Sequence, residues 1–564
     1  GSTILAHSHM RTYNSEIDLY SVVDTIKKNP ETARIVGSVP IIFGYGDGGG
    51  GPTEEMLDKI EAMNSLKKTF YTGKDALDYW LSKVKSHESE LPTFKGELYL
   101  EFHRGCYTTH EDIKKMNRRL ESEFFIAEAI SSFWGTCKSL KEEWKTLLKN
   151  QFHDILAGTG TDIVYKDAVS ELNEVLRKLE GNYVQELTPD QKNFSVFSPY
   201  WWETIAWVPV GNEIGKGYFA VDEEGRSSPI VYNGVEYGFY ANFDKGMGIY
   251  SFKLVREPSN LTLPPKHNWR IEIDKNEIKS ITVDGKELPI PELVLFNDFP
   301  FYFDAWEVDN LAKENGRTLK ASNIQILHEE GYGEIVKMTY DLNPGDMVVT
   351  LSFPLYEDFV RIHFKVNWKG MHRLLRMYLK AGEGRCVGET AYSTIERTPE
   401  EPKYEFPSHR FIAVEKDGEA FILLNDSKYG YSYKNGYLGA SLLRAPFFPD
   451  PFADRGDHEF SFSYGHVQSK DPLIYTELGV KFNLKPKILK SEIKEQYLYA
   501  KNVAIGALKC SEDGKAKIIR IYNPGDSSRT FSISTPFEIS KLSETDLLEN
   551  PLPTSEIKFQ GNKI

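Results

Sequence analysis

The run Asn150-Gln151-Phe152-His153-Asp154-Ile155-Leu156-Ala157-Gly158-Thr159 sets an imidazole beside a carboxylate, just before a glycine. Both groups ligate metals and carry protons, so His153 and Asp154 form a candidate site. A single His-Asp dipeptide also suits a hydrogen-bonded core residue or a helix cap, so other segments must decide for chemistry. A second segment is Phe43-Gly44-Tyr45-Gly46-Asp47-Gly48-Gly49-Gly50-Gly51-Pro52-Thr53, where four consecutive glycines allow a ligand close to the backbone. Asp47 would lie at the C-terminal end of an expected strand, where α/β folds place their active sites. A phosphate loop needs a lysine that this run lacks, and a plain turn is the bland alternative. The third segment runs from Gly96 through Glu101, Arg104 and Tyr107 to Thr109 and His110, with Thr109 suited to capping a helix and Arg104 to a surface charge.

These groups need rigid elements to hold them. Leu140, Trp144, Leu147, Leu148 and Phe152 recur at helical spacing and predict a helix carrying His153 and Asp154 at its C-terminal end. Ile113, Met116, Leu120, Phe124, Ala127, Ile130 and Phe133 predict a long helix before it, and a third is expected from about 162 to 179. Three such helices with short loops suggest a bundle. Upstream, Thr3-Ile4-Leu5-Ala6 and Val39-Pro40-Ile41-Ile42-Phe43 flank a helix near Leu19 to Ile26 and read as βαβ. Two parallel strands cannot form a complete α/β domain, because their edges and faces stay bare. Beyond about 181 to 189 short alternating strands dominate, such as Trp269 to Asp274, Val348 to Phe353 and Val360 to Val366, as in β-sandwiches.

With 564 residues the chain must hold several domains. Its 40% hydrophobic and 13% aromatic content excludes a largely disordered chain. A net charge of -14 without a basic run gives no support to nucleic-acid binding or an anionic membrane surface. Cys106, Cys137, Cys386 and Cys510 are widely spaced, which argues against a disulfide framework and favours the reducing cytoplasm. No apolar run reaches membrane-spanning length and no export signal opens the chain.

In order and wording the three segments resemble glycoside hydrolase family 38, the class II α-mannosidases, and especially the cytosolic branch with F-G-x-G-D-G-G-G-G-P-T, G-E-L-x-L-E-x-H and N-Q-F-H-D. Val196 to Trp201, Phe303 to Glu307 and Ser441 through Asp454 and His458 resemble later landmarks of the same family. The resemblance implies a multidomain α/β, α and β architecture. The expected domains are the end of a parallel barrel (1–90), a three-helix bundle (91–185), a large β-sandwich (186–430) and a C-terminal β-domain (431–564).

It also implies a retaining exo-α-mannosidase with zinc or another divalent transition metal, acting on mannosyl oligosaccharides. His153 then matches a metal ligand and Asp154 a carboxylate that contacts sugar hydroxyls. Asp47 becomes a candidate acid/base, and Tyr45, Arg104 and Tyr107 candidate substrate contacts. The family's H-x-H-x-D metal motif and nucleophilic aspartate are missing. His7-Ser8-His9 carries Arg11 where that motif needs Asp. A separate N-terminal chain is therefore the expected partner, without which this chain is inactive, and homo-oligomers are common among large hydrolases. The rival readings are an inactive or mannose-binding scaffold and a family 38 enzyme for another mannosyl substrate, such as mannosylglycerate.

Overall fold

The computed structural model describes residues 4–7, 16–46, 49–66, 73–94, 97, 103–257, 266–308, 315–397, 405–491, 494–553 and 557–564. The chain divides into two compact units, Gly1–Leu98 and Tyr99–Ile564.

In the first unit, helix α1 (Leu19–Lys28) starts at a capping box in which the Asp18 side chain accepts from the Ser21 N–H at 2.6 Å. Pro30 opens α2 (Pro30–Val36), and Gly37, at φ 71°, ends it. Helices α3 (Glu54–Leu66) and α4 (Gly73–Ser86) follow. Ile17, Val22, Met56 and Ile60 are buried together, with Ile41, Phe43 and Met63 against them. Met56, Ile60 and Met63 thus share one face, as their spacing predicts. The βαβ expectation fails among the described residues: Ile4 to Ala6 and Val39 to Phe43 are not hydrogen-bonded into strands. Ile41 and Phe43 pack against the small buried cluster of this unit.

The second unit begins with α5 (Glu111–Trp134), α6 (Lys141–Asn150), the short α7 (His153–Leu156) and α8 (Asp162–Tyr183). On α5 the predicted apolar stripe is buried: Ile113, Leu120 and Ile130 are fully enclosed, and Phe124 stacks on Trp144 of α6 at 4.0 Å. That core runs without interruption into a seven-stranded sheet, through Leu172 and Leu176 to Phe194, Val196, Ile249 and Leu498. In this sheet Asn193–Ser198 lies between Lys487–Ile488 and Met247–Val255, all antiparallel.

A nine-stranded and a six-stranded antiparallel sheet face each other over a second core that joins Leu351, Ile362 and Phe462 to Leu293, Leu375 and Leu443. Alternation is clear in Val360–Trp368, whose alternate residues Val360, Ile362, Phe364, Val366 and Trp368 point inward. The expected boundary at 430/431 is corrected by pairing. Tyr437–Arg444 pairs with Arg373–Lys380, and Gly456–Val467 lies between Val360–Trp368 and Glu419–Asn425. Cutting there would sever the ladders of both sheets.

The cysteine expectation is also corrected. Cys137, after α5, is disulfide-bonded to Cys510, with Cα atoms 5.4 Å apart, while Cys106 and Cys386 are free. A spacing of 373 residues hid a pair that the fold brings together.

Candidate functional site

The helix predicted to end on His153 and Asp154 is broken. Phe152 adopts φ -52°, ψ 141°, so α6 stops at Asn150 and His153 and Asp154 open the next helix, α7. Phe152 is exposed, so it has no core contact that would continue the helix. The break turns both side chains outward. The His153 side chain is 80% exposed and that of Asp154 54%, with Nε2 3.6 Å from Oδ2.

The backbone beneath them is fixed more firmly. The Tyr165 hydroxyl of α8 donates to the Asp154 carbonyl at 3.1 Å, and the Thr159 hydroxyl reaches Asp154 Oδ1 at 3.4 Å. Lys114, buried on α5, donates from Nζ to the carbonyls of Leu156 and Thr109, tying α7 to α5. Gly158 closes this corner at φ 87°, and a Cβ there would stand 2.4 Å from the Thr109 carbonyl oxygen.

Thr109 is not the cap of α5. Its hydroxyl donates to the Ala305 carbonyl at 2.9 Å and accepts from Arg444 Nη1 at 3.0 Å. The cap position falls to His110, at φ 55°, and the capping carboxylate comes from Asp454, which accepts from the His110 and Glu111 N–H groups, each at 2.7 Å. Around it Glu111 meets Lys428 at 2.9 Å and His458 at 3.1 Å, and His110 meets Asp450 at 3.0 Å. Burial opposes charge on His110, yet bonds to Asp112 and Asp450 outweigh it and push the imidazole up to about 9. Likewise burial raises Glu111, but Lys428 and His458 prevail and hold its carboxyl far below the usual range.

Arg104 is not a surface charge. It is buried, and Nη1 donates to the Tyr107 hydroxyl at 2.9 Å, so these two candidate sugar contacts already engage each other. Gly105 packs directly under the Trp306 carbonyl, to which its N–H donates at 2.7 Å. Arg444 is fully enclosed and bound to Asp298 at 2.7 Å. The segments of Arg104, Thr109, His153 and Ala305 to Glu307 therefore form one connected corner. Nearby aromatic rings are bare: Phe301, Tyr302, Phe303 and Phe448 are each more than 60% exposed.

Tyr45 belongs to the first unit, where its hydroxyl donates to Glu16 Oε1 at 2.8 Å. Asp47 lies outside the described residues. Of the His7-Ser8-His9 run, His7 packs edge-on against Trp80 at 5.3 Å, and the rest is likewise outside them. Among the described residues no group of three or more His, Cys, Asp or Glu is arranged to hold a metal ion. Structural zinc takes four protein ligands and catalytic zinc three, so His153 with Asp154 does not complete such a site.

Sequence reasoning from local pattern missed Asp450, Lys428 and Glu111; their partners lie hundreds of residues away, and no local signal marks them. Asp454 and His458 stood out only through family wording.

Three family patterns match this chain: the alpha mannosidase middle domain over 101–188, the glycosyl hydrolases family 38 C-terminal domain over 266–452 and the family 38 C-terminal beta sandwich domain over 502–564. Together they take in more than half of it. Alpha-mannosidase 2C1 of Homo sapiens is 24% identical over the whole chain, which covers 58% of that protein. Alpha-mannosidase G of Dictyostelium discoideum is 24% identical over 97% of the chain and 59% of its own length. The chain thus spans somewhat under two thirds of these relatives. A solved alpha-mannosidase from Enterococcus faecalis V583 superposes with a TM-score of 0.72 at 14% identity, over 96% of this chain and 77% of that one. That likeness shows the fold.

Proposed function

Because this chain belongs to glycosyl hydrolase family 38, we propose that it forms the bundle and sandwich portion of a retaining exo-α-mannosidase, releasing terminal α-linked mannose from oligosaccharides. The observation that carries the reading is the outward presentation of His153 and Asp154 on a corner tied by Lys114, Thr109 and Gly158, inside the stretch matched by the middle-domain family. A buried core pair would do none of this.

In the proposed reaction a carboxylate attacks the anomeric carbon while an acid protonates the departing oxygen; water then cleaves the glycosyl ester. This chain's part is to present Asp154 as acceptor for sugar hydroxyls and the His153 imidazole as a donor nitrogen. Asp47 remains the candidate acid/base, and Tyr45, Arg104 and Tyr107 candidate contacts that would exchange their present partners for sugar. Zinc or another divalent ion would hold the terminal mannose and polarise it, but needs ligands beyond these two residues. A further polypeptide region, corresponding to the relatives' unmatched length, supplies those ligands and the nucleophile. The exposed aromatic rings beside the corner support a covering partner, since contiguous apolar surface of this kind marks interaction sites.

A cytoplasmic setting is part of the proposal, and the Cys137–Cys510 disulfide is the observation against it. No helix among the described residues is long and apolar enough to cross a membrane.

The test is intact mass and metal analysis of the protein from its native source, with hydrolysis of an aryl α-mannoside with and without chelator. About one bound divalent ion with chelator-sensitive hydrolysis is the expected result. Metal-free protein without hydrolysis, whatever co-purifies, would overturn the enzyme reading in favour of a scaffold.

A further inference from the structure

A cavity of about 270 Å³ lies in the second unit where the middle of α5 meets the strand Val360–Trp368 and the end of helix α9 (Pro472–Asn483). None of the residues lining it is among those that fix the His153 corner. Its wall carries five lysines and arginines, and two of them are already matched. Arg361 is clasped by Glu357 at 2.7 and 2.9 Å, and Arg119 is paired with Glu180 at 2.8 Å. The carboxylates in the wall are equally occupied: Glu123 holds Lys487, and Asp426 accepts the Ser461 N–H at 2.9 Å and the Ser427 hydroxyl.

Three cations of the wall are left without an ion pair among the described residues: Arg118, Lys485 and Lys115, whose Nζ donates to the Glu459 carbonyl. Arg118 is 4% exposed, lies on the Tyr429 ring at 4.7 Å and reaches Asn483 Oδ1 from Nη1 at 3.5 Å. Its Nη2 is buried and has no hydrogen-bond partner among the described residues. Lys485 makes no ion pair within 4.0 Å there, its Nζ lying 5.2 Å from the Phe482 ring. Glu236 forms no ion pair among the described residues, and neither does Asp426, whose partners are neutral, so two carboxylate charges stand against the three cations.

An unsatisfied buried guanidinium donor is costly, and a planar fork beside a point charge is the donor set that matches a phosphoryl group. The volume equals roughly nine waters at about 30 Å³ each, room for a phosphate with a small body attached but not for an extended chain. Burial, reinforced by the Arg361 charge, pushes Lys485 down to about 8, and a bound anion would relieve that.

We propose that this cavity binds a phosphoryl oxyanion, as inorganic phosphate or as the phosphate of a small sugar phosphate, with Arg118 as the bidentate donor and Lys485 as the counter-charge. The probes are sodium phosphate and a hexose 6-phosphate, against sodium chloride at equal ionic strength, read by thermal unfolding and calorimetric titration on the full chain. Phosphate should raise Tm saturably where chloride does not. Lys485→Met should weaken phosphate binding at least tenfold. Lys166→Met, which changes an exposed lysine of α8, is the control and should bind as the parent does. Tighter binding of the hexose phosphate identifies a sugar phosphate as ligand, and equal binding identifies the inorganic ion. A response no greater than that to chloride, or unchanged binding in Lys485→Met, overturns the proposal.

Discussion

Asp454 caps a helix whose first residue lies 343 positions earlier, and both of its carboxylate oxygens are committed to that task. Asp454→Ala leaves two buried backbone N–H groups without an acceptor, so we expect a loss of about 2–6 kcal/mol, read as a lower urea midpoint, from the cost of about 1–3 kcal/mol for each orphaned group. Asp454→Asn keeps one acceptor and should fall between. A local reading gives the cap to Thr109, the nearest residue of the right type, and cannot see a carboxylate arriving from a distant turn. The same holds for Arg104, whose burial depends on partners that the sequence does not place beside it. His153 and Asp154, by contrast, were legible as a pair from their spacing and family wording, and the structure turns both to solvent. Their exchange for Ala and Asn should leave the unfolding midpoint within about 0.5 kcal/mol of the parent, as for exposed positions without special contacts, while abolishing aryl α-mannoside hydrolysis by the assembled enzyme. A large stability loss would show instead that the pair serves the fold.

At the scale of elements, the apolar stripe of α5 and the alternation of Val360–Trp368 were readable because each is a local period imposed by one buried face. The break at Phe152 was not, since Phe152 fits the helical spacing and only its lack of a core partner ends α6 there. Gly158 then sets the position of α7. Gly158→Ala forces a Cβ into the Thr109 carbonyl and a positive φ on alanine, so it should cost about 1–3 kcal/mol and lower activity of the assembled enzyme through displacement of α7, whereas Gly160→Ala brings its Cβ no closer than 3.3 Å, to the Tyr165 hydroxyl, and should cost less. The start of α5 adds a pH signature. His110 is raised in the fold above its ordinary value near 6.5, so its contribution is fully present below about pH 6.5 and is lost as pH climbs towards about 9. Glu111 is depressed, so its share is present above the ordinary Glu range and is lost on acidification. Urea midpoints measured from about pH 3 to 9 should decline on the alkaline side in the parent. Replacing His110 by Gln should flatten that limb while leaving the acid limb in place.

Across the whole molecule, sheet membership rather than sequence order decides what belongs together. The strand Asn193–Ser198 pairs with Lys487–Ile488, and Gly456–Val467 sits in the middle of the nine-stranded sheet between Val360–Trp368 and Glu419–Asn425. Strand existence was therefore legible, but domain limits were not, because register is chosen by a partner hundreds of residues away. The Cys137–Cys510 bridge spans the same kind of distance and joins the end of the bundle to the strand Ala504–Cys510. Closing so long a loop removes much conformational freedom from the unfolded chain, and loss of a native disulfide typically costs about 2–5 kcal/mol. Alkylation of the unfolded protein under non-reducing conditions should then modify two thiols, Cys106 and Cys386, and reduction should expose four. Cys510→Ser should lower Tm in the absence of reductant and make it insensitive to added dithiothreitol, while the parent drops to the same value on reduction. Four reactive thiols in protein taken directly from its source would mean that the pair stays reduced there, which would remove the objection to a cytoplasmic enzyme. Two would place it in an oxidising compartment, with the bundle locked to the C-terminal sheet before any partner binds.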